Sequence, residues 1–340
     1  MDGKTIRSGR RNFLTQASAI SATAMLGLSR SARAEPPPET KKIRLVKIPA
    51  ICLAPEYIAE EFLRLEGFSE VEYVEVDTQA NLSDLLGENR ADMTVSSPPS
   101  LLPDLDAGKQ VVALAGIHGG CYELFANEHI RSVRDLRGKR VAIEEIGTST
   151  EYFYLASMVA YVGMDPRKDI QWVAGHTFDG MMDLFVEGKA DATLAFPPQP
   201  QQLRAKKIGR VIVNTAQDRP WSEYYCCLIS ARRQFVKEYP IATKRAVRAI
   251  LKATDVCAND PERAARYIVT KGYEPNYAVA LEVVNSLSYK RWRTYNVEDS
   301  LRFFGVRLHE GGLIKSDPNK LIAQGTDWRF LNELKRELKA

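Results

Sequence analysis

Gly147-Thr148-Ser149-Thr150 is the segment of this chain best suited to hold a ligand. Glycine lets the backbone approach closely, three hydroxyls follow, and a helical pattern starts behind them. Free amides and the positive end of the helix dipole would therefore face an anion. The same residues would serve equally as a plain helix cap. Glu144 and Glu145 directly precede the loop and oppose a fully anionic ligand unless they turn away, which keeps an amine or zwitterion in view. Positions just beyond other strands add Pro55 and Glu56, Ser96 and Ser97, Phe196 and Gln199, and Trp221 with Tyr224 and Tyr225. Aromatic, hydroxyl and amide groups together suit a small, partly apolar solute.

Catalytic and cofactor patterns are absent from the sequence: no Gly-x-Ser-x-Gly elbow, no phosphate loop, no dinucleotide fingerprint. No His, Cys and carboxylate residues fall at metal-binding spacing either, so neither a cofactor nor a metal is expected. His118-Gly-Gly-Cys121 can be drawn as a base and nucleophile, but it lacks an orienting third group and reads better as a hinge. His129, His176 and His309 are isolated. The cysteines, Cys52, Cys121, Cys226, Cys227 and Cys257, are odd in number, so at least one has no partner within the chain. On a strand, Cys226 and Cys227 would face opposite sides. Cys257 shares a helical stripe with Val247, Ile250, Leu251 and Thr254 and reads as core.

These candidates need elements to hold them. Ile43–Ile48 alternates as a strand, followed by an apolar loop to Pro55 and a helix from Glu56 to about Glu66. Val71–Val76 is a second strand, and Asn81 caps a short helix with Asp84 in the capping-box position. Two stretches 99 positions apart then repeat each other at eight of sixteen positions: Asp84 to Pro99 and Asp183 to Pro198. Each reads as a helix end, a short Ala-Asp-x-Thr strand and a Pro-Pro loop, one corner of an α/β unit written twice. Ligands in such sheets gather beyond the carboxyl ends of strands, so two matched corners predict two lobes facing one cleft. Further strands are expected at Val111–Ala115, Tyr122–Ala126, near Ile143, at Val211–Val213 and at Tyr224–Ser230. From about Arg232 the chain is helical, with Asp260-Pro261 as a cap and Trp292, Phe303, Phe304 and Trp328 as packing anchors. Glu333–Ala340 reads as a solvated terminal helix.

The first 34 residues have the three parts of an export signal. Gly9-Arg10-Arg11-Asn12-Phe13-Leu14 indicates the twin-arginine route, an apolar run follows, and Ala32-Arg33-Ala34 ends it. Without them the chain carries 41 basic and 42 acidic residues, so the apparent basicity belongs to the signal and nucleic acid is not an expected partner. After Ala34 no apolar stretch approaches the ~20 residues that span a bilayer. Glu35–Lys42, rich in proline and charge, is expected to be a flexible leader.

Ile130-Arg-Ser-Val-Arg-Asp-Leu-Arg-Gly-Lys-Arg-Val-Ala-Ile143, Gly163-Met-Asp-Pro-Arg-Lys-Asp-Ile170 and Glu187-Gly-Lys-Ala-Asp-Ala192 resemble the nitrate/sulfonate/taurine class of periplasmic substrate-binding proteins of ABC importers. That class also includes binders of thiamine-pyrimidine precursors. The resemblance runs over residues 43–270 and is specific in the second lobe. It implies an α/β, two-lobed periplasmic-binding fold of type II, each lobe a mostly parallel sheet flanked by helices. Residues 43–126 with 218–340 would form one lobe and 127–217 the other. The loops at Pro55, Ser96 and Ser97, Gly147 to Thr150, and Phe196 to Pro198 would line the cleft. The implied role is a monomeric solute receptor that delivers a small organic anion, a sulfonate, nitrate-like or carboxylate compound, to a membrane permease and its ATPase. A thiamine-pyrimidine-precursor binding protein or a pyrimidine-synthase-like enzyme is the alternative. The doubled glutamate before Gly147 departs from the neutral loop of the class.

Overall fold

The computed structural model describes residues 35–48, 50–75 and 81–338. The export signal lies outside them, as does Val76 at the end of the expected second strand. Strand β1 (Lys42–Lys47) leads through a 3-10 turn at Ile51–Leu53 into helix α1 (Ala54–Leu65). The expected loop through Pro55 is thus already helical there, and the proline sits in the first turn, where its missing N–H costs nothing. Next come β2 (Glu70–Glu75), α2 (Leu82–Gly87), β3 (Met93–Ser96), α3 (Pro98–Asp106) and β4 (Val111–Gly119). Asn81 caps α2 by accepting from the backbone of Ser83 and Asp84. The Asp84 carboxylate pairs with Lys109 at 2.8 Å rather than closing a capping box.

The chain then crosses to a second sheet: β5 (Glu123–Ala126), β6 (Arg140–Ile143), α4 (Thr150–Tyr161), β7 (Gln171–Ala174), α5 (Phe178–Val186), β8 (Ala192–Ala195), α6 (Gln199–Lys206) and β9 (Arg210–Asn214). It returns as β10 (Tyr225–Arg232) and ends in seven helices, α7 (Arg233–Glu238), α8 (Pro240–Asn259), α9 (Pro261–Thr270), α10 (Tyr277–Ser286), α11 (Val297–Glu310), α12 (Pro318–Gly325) and α13 (Arg329–Glu337). None of the helices among the described residues is long and apolar enough to cross a membrane.

The two sheets have the same plan. Their strand orders are β2-β1-β3-β10-β4 and β7-β6-β8-β5-β9. In each, the strand that arrives from the other sheet is inserted antiparallel between the last two, and the rest run one way. Strand β5 was read from sequence as part of the first lobe, but it pairs with β8 and β9. The crossing therefore falls at Gly119–Tyr122, before Ala126. Strand β7, a short partly buried edge, gave no signal in the sequence.

The doubled segment is a doubled structure. Asp92 and Asp191 each accept the backbone N–H of an arginine on the neighbouring strand, Arg44 or Arg140, at 2.9 Å. Each also binds that arginine's guanidinium, which reaches on to the carbonyl of Asn89 or Gly188. The Pro-Pro pairs start helices rather than loops: Pro98 and Pro99 open α3, and Pro197-Pro198, joined by a cis bond, precede α6.

The leader is pinned by Glu39, whose carboxylate accepts from Ile241 and Ala242 at 2.9 and 2.8 Å and so caps α8, which lacks a cap of its own. At the far end, α13 buries Phe330, Leu331 and Leu334, so that terminal helix is docked on one face rather than fully solvated. Trp292 and Phe304 are fully buried, as packing anchors should be.

Candidate functional site

Helix α4 sets the geometry. Tyr152 to Ala160 contains no charged residue, and such a helix, apolar on every face, belongs in the interior. It is buried from Glu151 through Ala160, with Tyr154 tilted against Phe304 of α11 at 5.0 Å. Its first turn therefore points out of the core into a cavity of about 400 Å³ between the two sheets. Ser149 caps it, accepting from the Tyr152 backbone at 3.3 Å. Gly147 turns the preceding loop with φ of +80°.

Six residues expected at the cleft line this cavity together: Ser96, Ser97, Thr148, Ser149, Thr150 and Phe196. Ser97 caps α3 in a capping box with Ser100, and Ser96 shares a hydrogen bond with Ser230 at 2.5 Å. Phe196 stands edge-on to Tyr122 and Phe178, with ring centres 5.9 and 4.9 Å apart. The remaining expected residues lie elsewhere. Pro55 and Glu56 are buried in the first turn of α1. Gln199 turns back to accept from the Phe196 backbone. Trp221 packs on Tyr161 and Phe303, and Tyr224 stacks on Phe303 at 4.0 Å. These two aromatics were placed near the return crossing as cleft residues, but their rings pack on Phe303 of α11, and Trp221 also on Tyr161 of α4, instead of lining the cavity.

The cavity is rich in carboxyls. Among its described lining residues are Glu75, Asp104, Glu144, Glu145 and Glu151 but only two lysines, and both are paired: Lys47 with Glu75 at 2.6 Å and Lys271 with Glu60 at 3.4 Å. Glu144 and Glu151 are 6% and 2% exposed, and each keeps one oxygen without a partner. Burial, reinforced by Glu151 and Glu145, pushes Glu144 up to about 8. Burial likewise pushes Glu151 up to about 7, against opposing hydrogen bonds that include those from Tyr122 and Ser149. Glu145 turns outward to His176 at 2.7 Å. Near neutral pH the site therefore holds carboxyls that are partly protonated and able to donate. Glu151 was not foreseen, because an acid in a first helical turn ordinarily faces water; the uncharged run behind it was the available signal.

The floor of the cavity is made of thiols, which sequence spacing did not reveal. The sulfur atoms of Cys52, Cys121 and Cys227 all lie within 4.8 Å of one another, and Cys226 Sγ is 2.9 Å from Cys121 Sγ. All of these cysteines are free and buried. The expectation that Cys226 and Cys227 face opposite sides fails because the register of β10 against β4 shifts on both sides of Cys227. Such an irregularity re-aims side chains, and both cysteines line the cavity. Cys257 lies in the core of α8, away from the cluster. His118, expected as part of a hinge, is fully buried at the end of β4 and stands edge-on to Tyr289.

Two crossing segments separate the sheets and hold each other. The backbone N–H of Tyr122 donates to Thr215 Oγ1 at 2.9 Å, and the backbone N–H of Thr215 donates back to the Tyr122 carbonyl at 2.9 Å. Gly120, at φ of +46°, lies so close to Thr215 and Ala216 that a Cβ would strike their backbone.

A family model described as NMT1/THI5 like matches residues 53–264. No curated protein matches the sequence. Among solved structures, the chain is similar to the alkanesulfonate-binding protein SsuA from Xanthomonas axonopodis pv. citri bound to MOPS. That match has a TM-score of 0.69 and 14% identity, and it covers 87% of this chain and 99% of the other. The periplasmic nitrate-binding protein NrtA from Synechocystis PCC 6803 matches with a TM-score of 0.70 and 16% identity, over 89% and 90% of the two chains. The periplasmic aliphatic sulphonate binding protein SsuA from Escherichia coli matches with a TM-score of 0.65 and 17% identity, over 84% and 92%. At these identities the likeness establishes the fold, the two-lobed architecture of periplasmic binding proteins.

Proposed function

The chain belongs to the NMT1/THI5-like family, and from that premise we propose that it is the solute-binding receptor of an ABC import system, working outside the cytoplasm after twin-arginine export. The lobes close on a small organic solute, and the closed monomer docks on a membrane permease served by an ATPase. One observation carries this reading: a single cavity takes its walls from equivalent corners of both sheets, Ser96 and Ser97 from one, Phe196 and the Ser149 cap from the other. A solute touching both walls favours the closed state, and that differential affinity is all that closure requires. The protein is then a binder and not an enzyme.

An organic anion, a sulfonate or carboxylate, fits the hydroxyls of Thr148, Ser149 and Thr150, with Glu144 and Glu151 donating as neutral acids. The names of the sulfonate- and nitrate-binding neighbours support that class. The carboxyls themselves favour a second reading, an aminated heterocycle of the thiamine-pyrimidine-precursor class, which would donate to ionised Glu144 and Glu151.

Calorimetry with a panel of sulfonates, carboxylates and aminopyrimidines at about pH 6 and about pH 9 separates the two. Anion affinity should fall as pH rises through the titration of Glu144 and Glu151, because the donors are lost. Affinity for an aminated ligand that donates to the carboxylates should rise instead. In either case a ligand at ~100 times its dissociation constant adds about 2.7 kcal/mol to stability. The double variant S149A/T150A should bind at least about tenfold more weakly, a loss of roughly 1.4 kcal/mol. Turnover of a bound compound, or no binding across the panel, would sink the receptor reading.

A further inference from the structure

We propose that the thiols at the cavity floor form a binding site for a thiophilic d10 cation, Zn(II) or Cu(I), ligated by Cys52, Cys121 and Cys227 with His118 beside them. The three sulfurs come from separate parts of the chain: the 3-10 turn after β1, the first crossing segment, and β10. They converge to within 4.8 Å, and Cys227 reaches that point through an irregular register in its strand.

His118 is an independent sign of a missing partner. Its Nδ1 lies 3.3 Å from the Gly119 carbonyl, and since a carbonyl can only accept, Nδ1 carries the proton. Nε2 is fully buried and has no hydrogen-bond partner among the described residues. With Nε2 deprotonated the ring is the tautomer that metal-ligating histidines adopt, held by a backbone carbonyl on the other ring nitrogen. Burial opposes a charge on the ring, but the neighbouring Cys227 and Cys52 outweigh it and push the imidazole up to about 10, so a cation binding here displaces a proton from Nε2. Three thiolates alone suit Cu(I), while the closed tetrahedral set of structural zinc requires His118, which lies outside the group of donors within 4.8 Å of one another, to swing in as the fourth ligand. All three cysteines line the cavity, which provides the entry path. On binding, each coordinating thiol gives its proton to solvent, and no oxidant or reductant is needed.

The test uses the full chain, purified anaerobically with a non-chelating reductant and dialysed against Zn(II) or Cu(I) with a competing chelator. One retained equivalent is expected. The cobalt-substituted protein should show sulfur-to-metal charge-transfer absorption in the near ultraviolet. C121S and C227S should lose the ion, C257S should keep it, and H118A should weaken zinc binding by about 10- to 100-fold. Far-ultraviolet circular dichroism of the metal-free variants checks that each is folded. Retention of Zn(II) but not Cu(I), with the loss in H118A, assigns a tetrahedral site completed by His118; retention of Cu(I) alone assigns the three thiolates.

The proposal is overturned if metal-free protein with every thiol titratable retains neither ion. It is overturned equally if the triple variant C52S/C121S/C227S retains metal like the parent, or if two thiols prove to be joined as a disulfide. No solute enters these measurements, so failure of the receptor reading and failure of this one are read out separately.

Discussion

Glu144 and Glu151 are held out of water beside each other, and the fold favours their neutral forms by raising both well above the ordinary carboxyl range. The consequence for stability has a definite sign. Between the ordinary value near 4.5 and the folded values of about 7 and about 8, the native state binds more protons than the unfolded one. The stabilisation is therefore complete below about pH 4 and is lost as pH rises through 8. The double variant E144Q/E151Q should be more stable than the parent at pH 9 by at least about 2 kcal/mol and equal to it at about pH 4, measured by urea denaturation. A parent-like pH slope in the double variant would mean that other groups carry it.

At the scale of elements, α1 and α8 are joined through one carboxylate. Glu66, just past the end of α1, accepts from Arg248 at 2.8 Å and Lys252 at 3.0 Å, while its carbonyl accepts from Arg245 at 2.8 Å. Glu66 and Arg248 are both buried. Removing Glu66 takes the buried carboxylate out of this network and leaves Arg248 to Glu337, at 2.9 Å, so E66A should cost about 3 kcal/mol in chemical denaturation. A loss below about 1 kcal/mol would place the cluster with exposed ion pairs instead. Glu39 extends the same logic to the N-terminus of α8, where two orphan amides find a carboxylate from the leader.

At the scale of the whole molecule, the pair of crossing segments decides how the two sheets meet, and Gly120 is where they come closest. Two effects act there, the left-handed backbone and the contact with Thr215 and Ala216. Gly138, at φ of +71° with open space around it, has only the first. G138A should cost about 1 kcal/mol and G120A on the order of 3 kcal/mol, since only the second variant must also force the crossings apart. Equal costs would show that the crossings are not tightly packed.

The sequence by itself determined what is encoded over a few residues. Alternation placed β1 and β2, side-chain acceptors at Asn81, Ser149 and Asp260 placed helix starts, and the doubled Ala-Asp-x-Thr segment marked equivalent corners in two sheets. These follow from periodicity and from backbone amides that must be satisfied within a turn. Only the tertiary structure decided what depends on distant segments meeting. The sheet to which β5 belongs, the turn of Trp221 and Tyr224 toward α11, the burial of Glu151 and the gathering of Cys52, Cys121, Cys226 and Cys227 at one floor all arise that way. The reason is physical: the crossings and the register shift in β10 are set by packing across the whole chain, and no local spacing records where a packed sheet sends its side chains.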